Sequence, residues 1–179
     1  AHDVGLGIAI HLEPYQGRSP QSVRSDLEYL VDRYGHRLAK ICGRPVVYVY
    51  DAYHSPDWTS LLGDSSPTSV RGTPYDIFAL ATFLESPRDE NLVEQFDGFY
   101  TYFATDGFTF GSTRRNWQRL LDYGEEKKLA VSLSVGPGYD DTKIRPWNGA
   151  ATRDREHGDY FKKSLNDARR APLISITSF

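Results

Sequence analysis

The stretch Ser132-Leu133-Ser134-Val135-Gly136-Pro137-Gly138-Tyr139-Asp140-Asp141-Thr142-Lys143-Ile144-Arg145-Pro146-Trp147-Asn148 decides how this chain reads. It starts as an apolar strand and breaks at Gly136-Pro137-Gly138. It then continues as a loop that carries a Tyr, two Asp, an Arg, a Trp and an Asn. A buried strand that opens onto a long polar and aromatic loop is how an α/β scaffold presents a binding site. Loops of this length inside a compact domain are functional or disordered, and disordered segments are poor in aromatics.

Working outward, Leu129–Val135 is the strand that feeds this loop. Before it, Ser112 or Thr113 caps an amphipathic helix with Trp117, Leu120, Leu121 and Tyr123, closed near Gly124. After the loop, the spacing predicts a helix over Asp159–Arg170 and a strand over Leu173–Ser178. Further upstream, Phe96–Tyr102 reads as a strand, preceded by a helix from Ser86-Pro87 to about Gln95. Tyr75–Leu84 reads as a strand, since Pro74 precedes it and its residues alternate. A short helix at Pro56–Leu62 and a Gly/Ser/Pro loop over Gly63–Ser69 come before that. Pro45–Tyr50 is β-branched and aromatic, hence a strand. Ser19 caps a helix with Pro20 at its first position. Val23, Leu27, Leu30, Val31 and Tyr34 follow at helical spacing, and Gly35 closes it. Leu6–Leu12 is a short apolar strand.

The order strand, helix, strand repeats along the whole chain, which argues for parallel strands with right-handed crossovers. A doubly wound sheet would need a Gly-rich phosphate loop after an early strand, and Glu13-Pro14-Tyr15-Gln16-Gly17 is not one. Nearly every strand here ends in polar or aromatic residues, as in a (β/α)8 barrel. The expected fold is therefore α/β, a partial (β/α)8 TIM barrel of about six strands where closure needs eight. Residues 1–179 read as a single, incomplete barrel domain. The chain starts at Ala1, contains no Met and stops at Phe179 directly after a strand-like run, which is expected of a piece of a longer product.

Composition narrows the function. A net charge of −3 gives no electrostatic reason to expect nucleic acid or an anionic membrane as partner. Twelve Tyr are compatible with sugar binding, although a single Tyr more often fills a core or sheet. The lone Cys42 excludes an internal disulfide and reads as a small buried residue in a connecting segment. No apolar run approaches the roughly 18 residues that span a bilayer, and no signal peptide is evident.

The strand ends supply His11, Glu13 and Tyr15; Asp51, Tyr53 and His54; Tyr100, Tyr102, Thr105 and Asp106; then Tyr139, Asp140, Asp141, Arg145, Trp147 and Asn148. Aromatic faces suit sugar C–H surfaces, and acids, amides and Arg suit hydroxyls. His11, Glu13, His54, Asp51 and Asp140 match no metal-ligand spacing, and there is no nucleophile elbow. Two carboxylates could cleave a glycoside, one as acid and one assisting at the sugar. Glu13 with Asp51, Asp106, Asp140 or Asp141 would form such a pair. Equally, Asp140 and Asp141 could cap the loop and Arg145 could brace it.

Several runs resemble the endo-α-1,2-mannosidases of glycoside hydrolase family 99, and the animal enzymes more than the bacterial ones. They are His11-Leu12-Glu13-Pro14-Tyr15, Arg71-Gly72-Thr73-Pro74-Tyr75-Asp76 and Phe96 through Phe108. Ser134-Val135-Gly136-Pro137-Gly138-Tyr139, Ile144-Arg145-Pro146-Trp147-Asn148 and the closing Leu173 through Phe179 complete the set. The resemblance implies a (β/α)8 barrel that removes glucose-capped mannose from high-mannose N-glycans with retention, without a metal or other cofactor. It implies a substrate-assisted route through a 1,2-anhydro sugar. It also implies a Golgi-lumenal enzyme held by an N-terminal membrane anchor that is not in this sequence.

In the family, both catalytic glutamates lie in an Asn-Glu-Trp-His-Glu segment after a strand ending in Thr-Ser-Phe. This sequence stops at Phe179, so by resemblance it carries no catalytic residue. The N-terminal part of the barrel is likewise expected to be missing. By motif position the substrate-binding residues are Glu13, Tyr100, Tyr102, Tyr139, Arg145, Trp147 and Asn148. The chain alone is expected to be inactive, and a non-catalytic mannoside-binding barrel fragment is the alternative.

Overall fold

The computed structural model describes residues 7–54, 57–102, 105–143, 147 and 152–176. In chain order the elements are β1 (Ile10–Leu12), α1 (Pro20–Tyr34), β2 (Lys40–Ile41), β3 (Arg44–Val49), α2 (Trp58–Leu62) and β4 (Phe78–Thr82). They continue with α3 (Glu90–Val93), β5 (Gly98–Tyr100), α4 (Trp117–Lys127), β6 (Ala130–Val135), α5 (Asp159–Ala168) and β7 (Leu173–Ile176). The chain packs as two compact units, residues 1–82 with 91–97 and residues 83–90 with 98–179.

In the first unit, β3 pairs in parallel with β1 and with β4, Val47 lying opposite both Ile10 and Ala79. Helix α1 starts as its sequence requires. Ser19 Oγ accepts from Ser22 N at 3.2 Å, and Ser22 Oγ accepts from Ser19 N at 3.0 Å. This is a capping box closed by Ser in place of Glu, with Pro20 at the first helical position. Val23 and Leu27, four residues apart, face the core and are fully buried. Burying a Leu in this way contributes about 1.5–3 kcal/mol over leaving it exposed.

The short β2 was not expected from the sequence. It pairs antiparallel with β3 through a two-residue turn, Cys42-Gly43, in which both residues have positive φ. That is the backbone of a hairpin turn matched to strand twist. A turn tip has nothing packed over it, so Cys42 is exposed rather than buried, correcting the expectation.

At the start of β3 and β4, charges are assembled from distant parts of this unit. Arg71 Nη2 donates to Asp97 at 2.9 Å, and its Nη1 donates to Asp76 at 3.0 Å and to the Ile77 carbonyl at 2.8 Å. Its Nε donates to the Leu62 carbonyl at 3.0 Å. Arg44 pairs with the other Asp97 oxygen at 2.8 Å, and Asp97 also accepts from Ala79 N at 2.9 Å. Burial alone would lower the Arg71 pKa, but Asp97 and Asp76 raise it above its ordinary value. Residues up to Asp76 are held in turns, Thr73 N donating to the Val70 carbonyl at 3.2 Å and Asp76 N to the Thr73 carbonyl at 3.1 Å, and β4 begins at Phe78 rather than at Tyr75.

In the second unit, β6 pairs in parallel with β5 and β7, Ser132 lying opposite both Tyr100 and Leu173. Thr101 extends the β5 pairing. Its N donates to the Ser132 carbonyl at 3.0 Å, and its Oγ1 accepts from Ser134 N at 2.8 Å. Phe83, Phe99, Leu120, Val131 and Leu133 form the core.

Three sequence expectations shift. The helix from Ser86 is reduced to the single turn α3. The fully buried Asp89 carboxylate takes the amides of Leu84 and Glu85, at 2.7 and 2.9 Å, and holds this segment in turns. Strand β5 is three residues long rather than Phe96–Tyr102. Helix α4 does not close at Gly124 but runs on to Lys127, with Lys128 at φ +58° as its left-handed cap. Gly124 serves instead for close approach, since a Cβ there would meet Val131 Cγ2 at 2.3 Å. The expected strand end at Thr177 and Ser178 lies outside the described residues.

Candidate functional site

In the first unit the site begins where β1 ends. Side chains two residues apart share a face of a strand, so the His11-Leu12-Glu13 pattern sends His11 and Glu13 the same way. His11 Nδ1 lies 2.9 Å from Glu13 Oε1, and the His11 ring lies 5.7 Å from that of Tyr50. The Glu13 side chain keeps 59% of its surface in solvent. An exposed carboxylate with one oxygen oriented is equipped to accept hydrogen bonds from a polyol.

Tyr15 takes a different part. Its hydroxyl donates to Asp26 at 2.6 Å and lies 2.8 Å from Ser22 Oγ, which ties the end of β1 to helix α1. Burial, then the Asp26 hydrogen bond, push its pKa up. A cleft of about 340 Å³ lies along this edge, lined by His11, Glu13, Tyr15, Asp26 and Tyr29 among others.

The end of β3 is organised by an arginine that sequence reading did not single out. Arg18 Nη2 donates to the carbonyls of Asp51 and His54, both at 3.1 Å, and its guanidinium lies 5.5 Å from the Trp58 ring. Burial lowers its pKa. Trp58 in turn donates to the Ala52 carbonyl at 2.8 Å. Asp51 sits at φ +45°, and its carboxylate accepts from Tyr53 at 2.8 Å. Glu13 and Asp51 thus have separate partners, His11 and Tyr53.

In the second unit, Tyr100 is buried at 3% exposure and packs edge-on against the half-buried Tyr102, at 6.4 Å. Asp106 is engaged with Arg114, accepting its backbone N–H at 2.9 Å and facing its guanidinium at 3.4 Å. After β6, the Tyr139 hydroxyl donates to Asp141 at 2.5 Å, and Asp141 is buried. Asp140 caps the loop, accepting from Thr142 N and Oγ1 at 3.0 and 2.7 Å. These bonds depress its pKa. Trp147 is 78% exposed. Arg145 and Asn148 lie outside the described residues. Among the described residues, no three His, Cys, Asp or Glu side chains gather as a metal cage.

The structure also brings in Arg153 and Tyr160, which no motif announced. Tyr139 and Arg153 exchange both backbone hydrogen bonds, at 2.9 and 2.7 Å. A contact made across a 13-residue gap leaves no local trace in sequence.

Comparison with known proteins gives the family. The model of glycosyl hydrolase family 99 matches residues 1–179. The chain is 41% identical to the glycoprotein endo-alpha-1,2-mannosidases of Rattus norvegicus and Xenopus laevis, covering all of this chain but 41% and 42% of theirs. It is 40% identical to a Homo sapiens glycoprotein endo-alpha-1,2-mannosidase-like protein, of which it covers 42%. The GH99 endo-alpha-mannosidase structure from Bacteroides thetaiotaomicron, in complex with bis-Tris-propane, matches 99% of this chain and 57% of its own. Its TM-score is 0.93 at 41% identity. The α/β class and the partial (β/α)8 barrel expected from the sequence therefore hold. The chain spans about two-fifths of the length of these curated relatives.

Proposed function

We propose, from the fact that this chain belongs to glycosyl hydrolase family 99, that it forms part of the catalytic barrel of an endo-α-1,2-mannosidase. The substrate is a glucosylated high-mannose N-glycan, cut internally with retention. In this reaction a carboxylate deprotonates the mannose 2-hydroxyl. The freed oxygen attacks the anomeric carbon and forms a 1,2-anhydro sugar. A second carboxylate protonates the leaving glycosidic oxygen, and water then opens the anhydro ring. By the resemblance, both carboxylates belong to an Asn-Glu-Trp-His-Glu segment that the 179 residues do not contain, and the residues present are assigned to binding.

The observation that carries this reading is the exposed Glu13 carboxylate at the end of β1, oriented by His11 at 2.9 Å. A hydrogen bond from a sugar hydroxyl to such a charged acceptor is worth about 1.5–3 kcal/mol. Tyr102, Tyr139 and Trp147 offer aromatic faces for the sugar rings, with Tyr100 packed behind Tyr102. Arg145 and Asn148 complete the set by motif position. The working location is the Golgi lumen. Among the described residues, no helix is long and apolar enough to cross a membrane.

The test is to incubate the chain with glucosylated high-mannose glycan and measure released glucosylmannose by mass spectrometry, alongside calorimetric titration with α-1,2-mannobiose. Binding without release is expected. Turnover that Glu13→Gln abolishes would contradict the assignment of proton transfer to residues outside this chain.

A further inference from the structure

Tyr139 is held in place by a bracket that runs through the second unit and ends on helix α5. Its backbone exchanges two hydrogen bonds with Arg153, Tyr139 N to the Arg153 carbonyl at 2.9 Å and Arg153 N to the Tyr139 carbonyl at 2.7 Å. The Arg153 guanidinium lies 4.7 Å from the centroid of the Tyr160 ring. Its Nε is buried without a hydrogen-bond partner among the described residues, and the ring gives this charge a cation–π contact. Tyr160 cannot give way, because its ring is 1% exposed and its hydroxyl accepts the Asp106 N–H at 3.0 Å. Asp106 is fixed in turn by the Arg114 N–H at 2.9 Å, and the Arg114 guanidinium lies 5.8 Å from the same Tyr160 ring.

The preceding residue fits this bracket alone. Gly138 has φ +141°, and a Cβ there would lie 2.8 Å from both the Arg153 carbonyl oxygen and Arg155 Cγ. The Gly136-Pro137-Gly138 break therefore does more than end β6: it lets the backbone reach Arg153. The Tyr139 hydroxyl then meets Asp141 at 2.5 Å, which fixes the ring direction.

We infer that Arg153 is a positioning residue for Tyr139. It acts through the Tyr160 ring and holds the Tyr139–Asp141 pair in the geometry that receives a mannoside ring. This rests on the reading above that Tyr139 is a substrate-binding residue. A platform fixed before the sugar arrives loses less conformational entropy on binding.

The chain itself supplies the test, in two readouts. Hydrogen exchange of the Tyr139 amide reports the bracket without any ligand. Arg153→Ala and Tyr160→Leu should speed it by about tenfold, the size a desolvated cation–π contact can transmit. Tyr160→Phe, which keeps the ring under Arg153 but loses the acceptor of the Asp106 N–H, should speed it less than Tyr160→Leu does. Amides of β6 serve as the folding control. Calorimetry with α-1,2-mannobiose then reads the consequence. Arg153→Ala should weaken binding by about tenfold, and its effect should be non-additive with Tyr139→Phe. If wild type binds no mannoside while exchange still responds as described, the functional reading fails and the bracket stands. If wild type binds but Arg153→Ala changes neither exchange nor affinity in a folded chain, the positioning role is wrong.

Discussion

The two ends of the strands in the first unit are built on opposite principles. At the start of β3 and β4, Arg44, Arg71, Asp76 and Asp97 sit largely out of solvent. The two arginines and Asp97 meet partners on more than one side. At the far end of β1, Glu13 pairs with His11 at 2.9 Å and keeps more than half of its side-chain surface in water. A closed network stabilises the fold and has no acceptor to spare. An exposed carboxylate adds little stability and is free for a ligand. The contrast fits the division of a (β/α)8 barrel into a stabilising and a working face, with the proposed site at the second.

Substitutions should therefore separate cleanly, and the largest effect belongs to the network. Asp97→Ala leaves Arg44 and Arg71 without their main counter-charge and the Ala79 amide without an acceptor. Breaking such a pair costs about 3–5 kcal/mol, read from urea unfolding. A loss below about 1 kcal/mol would mean that the network is not structural. Next, Leu27→Ala in α1 should cost about 2–5 kcal/mol by the cavity it leaves, with no change in sugar affinity beyond the fraction folded.

Glu13→Gln should do the reverse. Stability should move by less than about 0.5 kcal/mol, while mannoside affinity falls by about tenfold or more, in line with a lost charged hydrogen bond. If Glu13→Gln destabilises as much as Asp97→Ala, the contrast between the two ends collapses.

The smallest effect concerns Asp140. The Thr142 hydrogen bonds hold its folded pKa below the ordinary carboxylate value. Its contribution is thus present above the unfolded pKa and is lost as pH falls through the depressed folded one. An NMR titration should show Asp140 protonating below the usual carboxylate range, and Thr142→Val should return it upward. Little change in unfolding free energy is expected from so exposed a group.

How much of this could be read in the sequence follows from how far apart the contacting residues lie. The start of α1 was legible because Ser19, Pro20 and Ser22 act on one another within a turn. The strands feeding the site were legible from β-branched and apolar runs, although their ends were not. The Ser86 helix failed because Asp89 takes backbone amides behind it, a choice that composition does not reveal. Gly124 looked like a helix stop, yet it is there to let Val131 close against α4. Cys42 followed the usual preference of Cys for the interior until a hairpin turn placed it outside. The Arg71–Asp97 pair spans 26 residues and the Arg153–Tyr139 bracket joins two separate loops, so neither has a local signature. In the candidate site, Glu13 and Tyr139 could be named from the residues around them, whereas their neighbours Arg18, Arg153 and Tyr160 emerged only in three dimensions.

The most direct test is calorimetric titration of α-1,2-mannobiose into wild-type chain and into Glu13→Gln, each shown to be folded by its unfolding transition. Saturable heat for wild type, and affinity at least about tenfold weaker for Glu13→Gln with an unchanged transition, is the predicted result. Equal affinity in the two folded chains, or no heat from folded wild type, would contradict a glycan site built on Glu13.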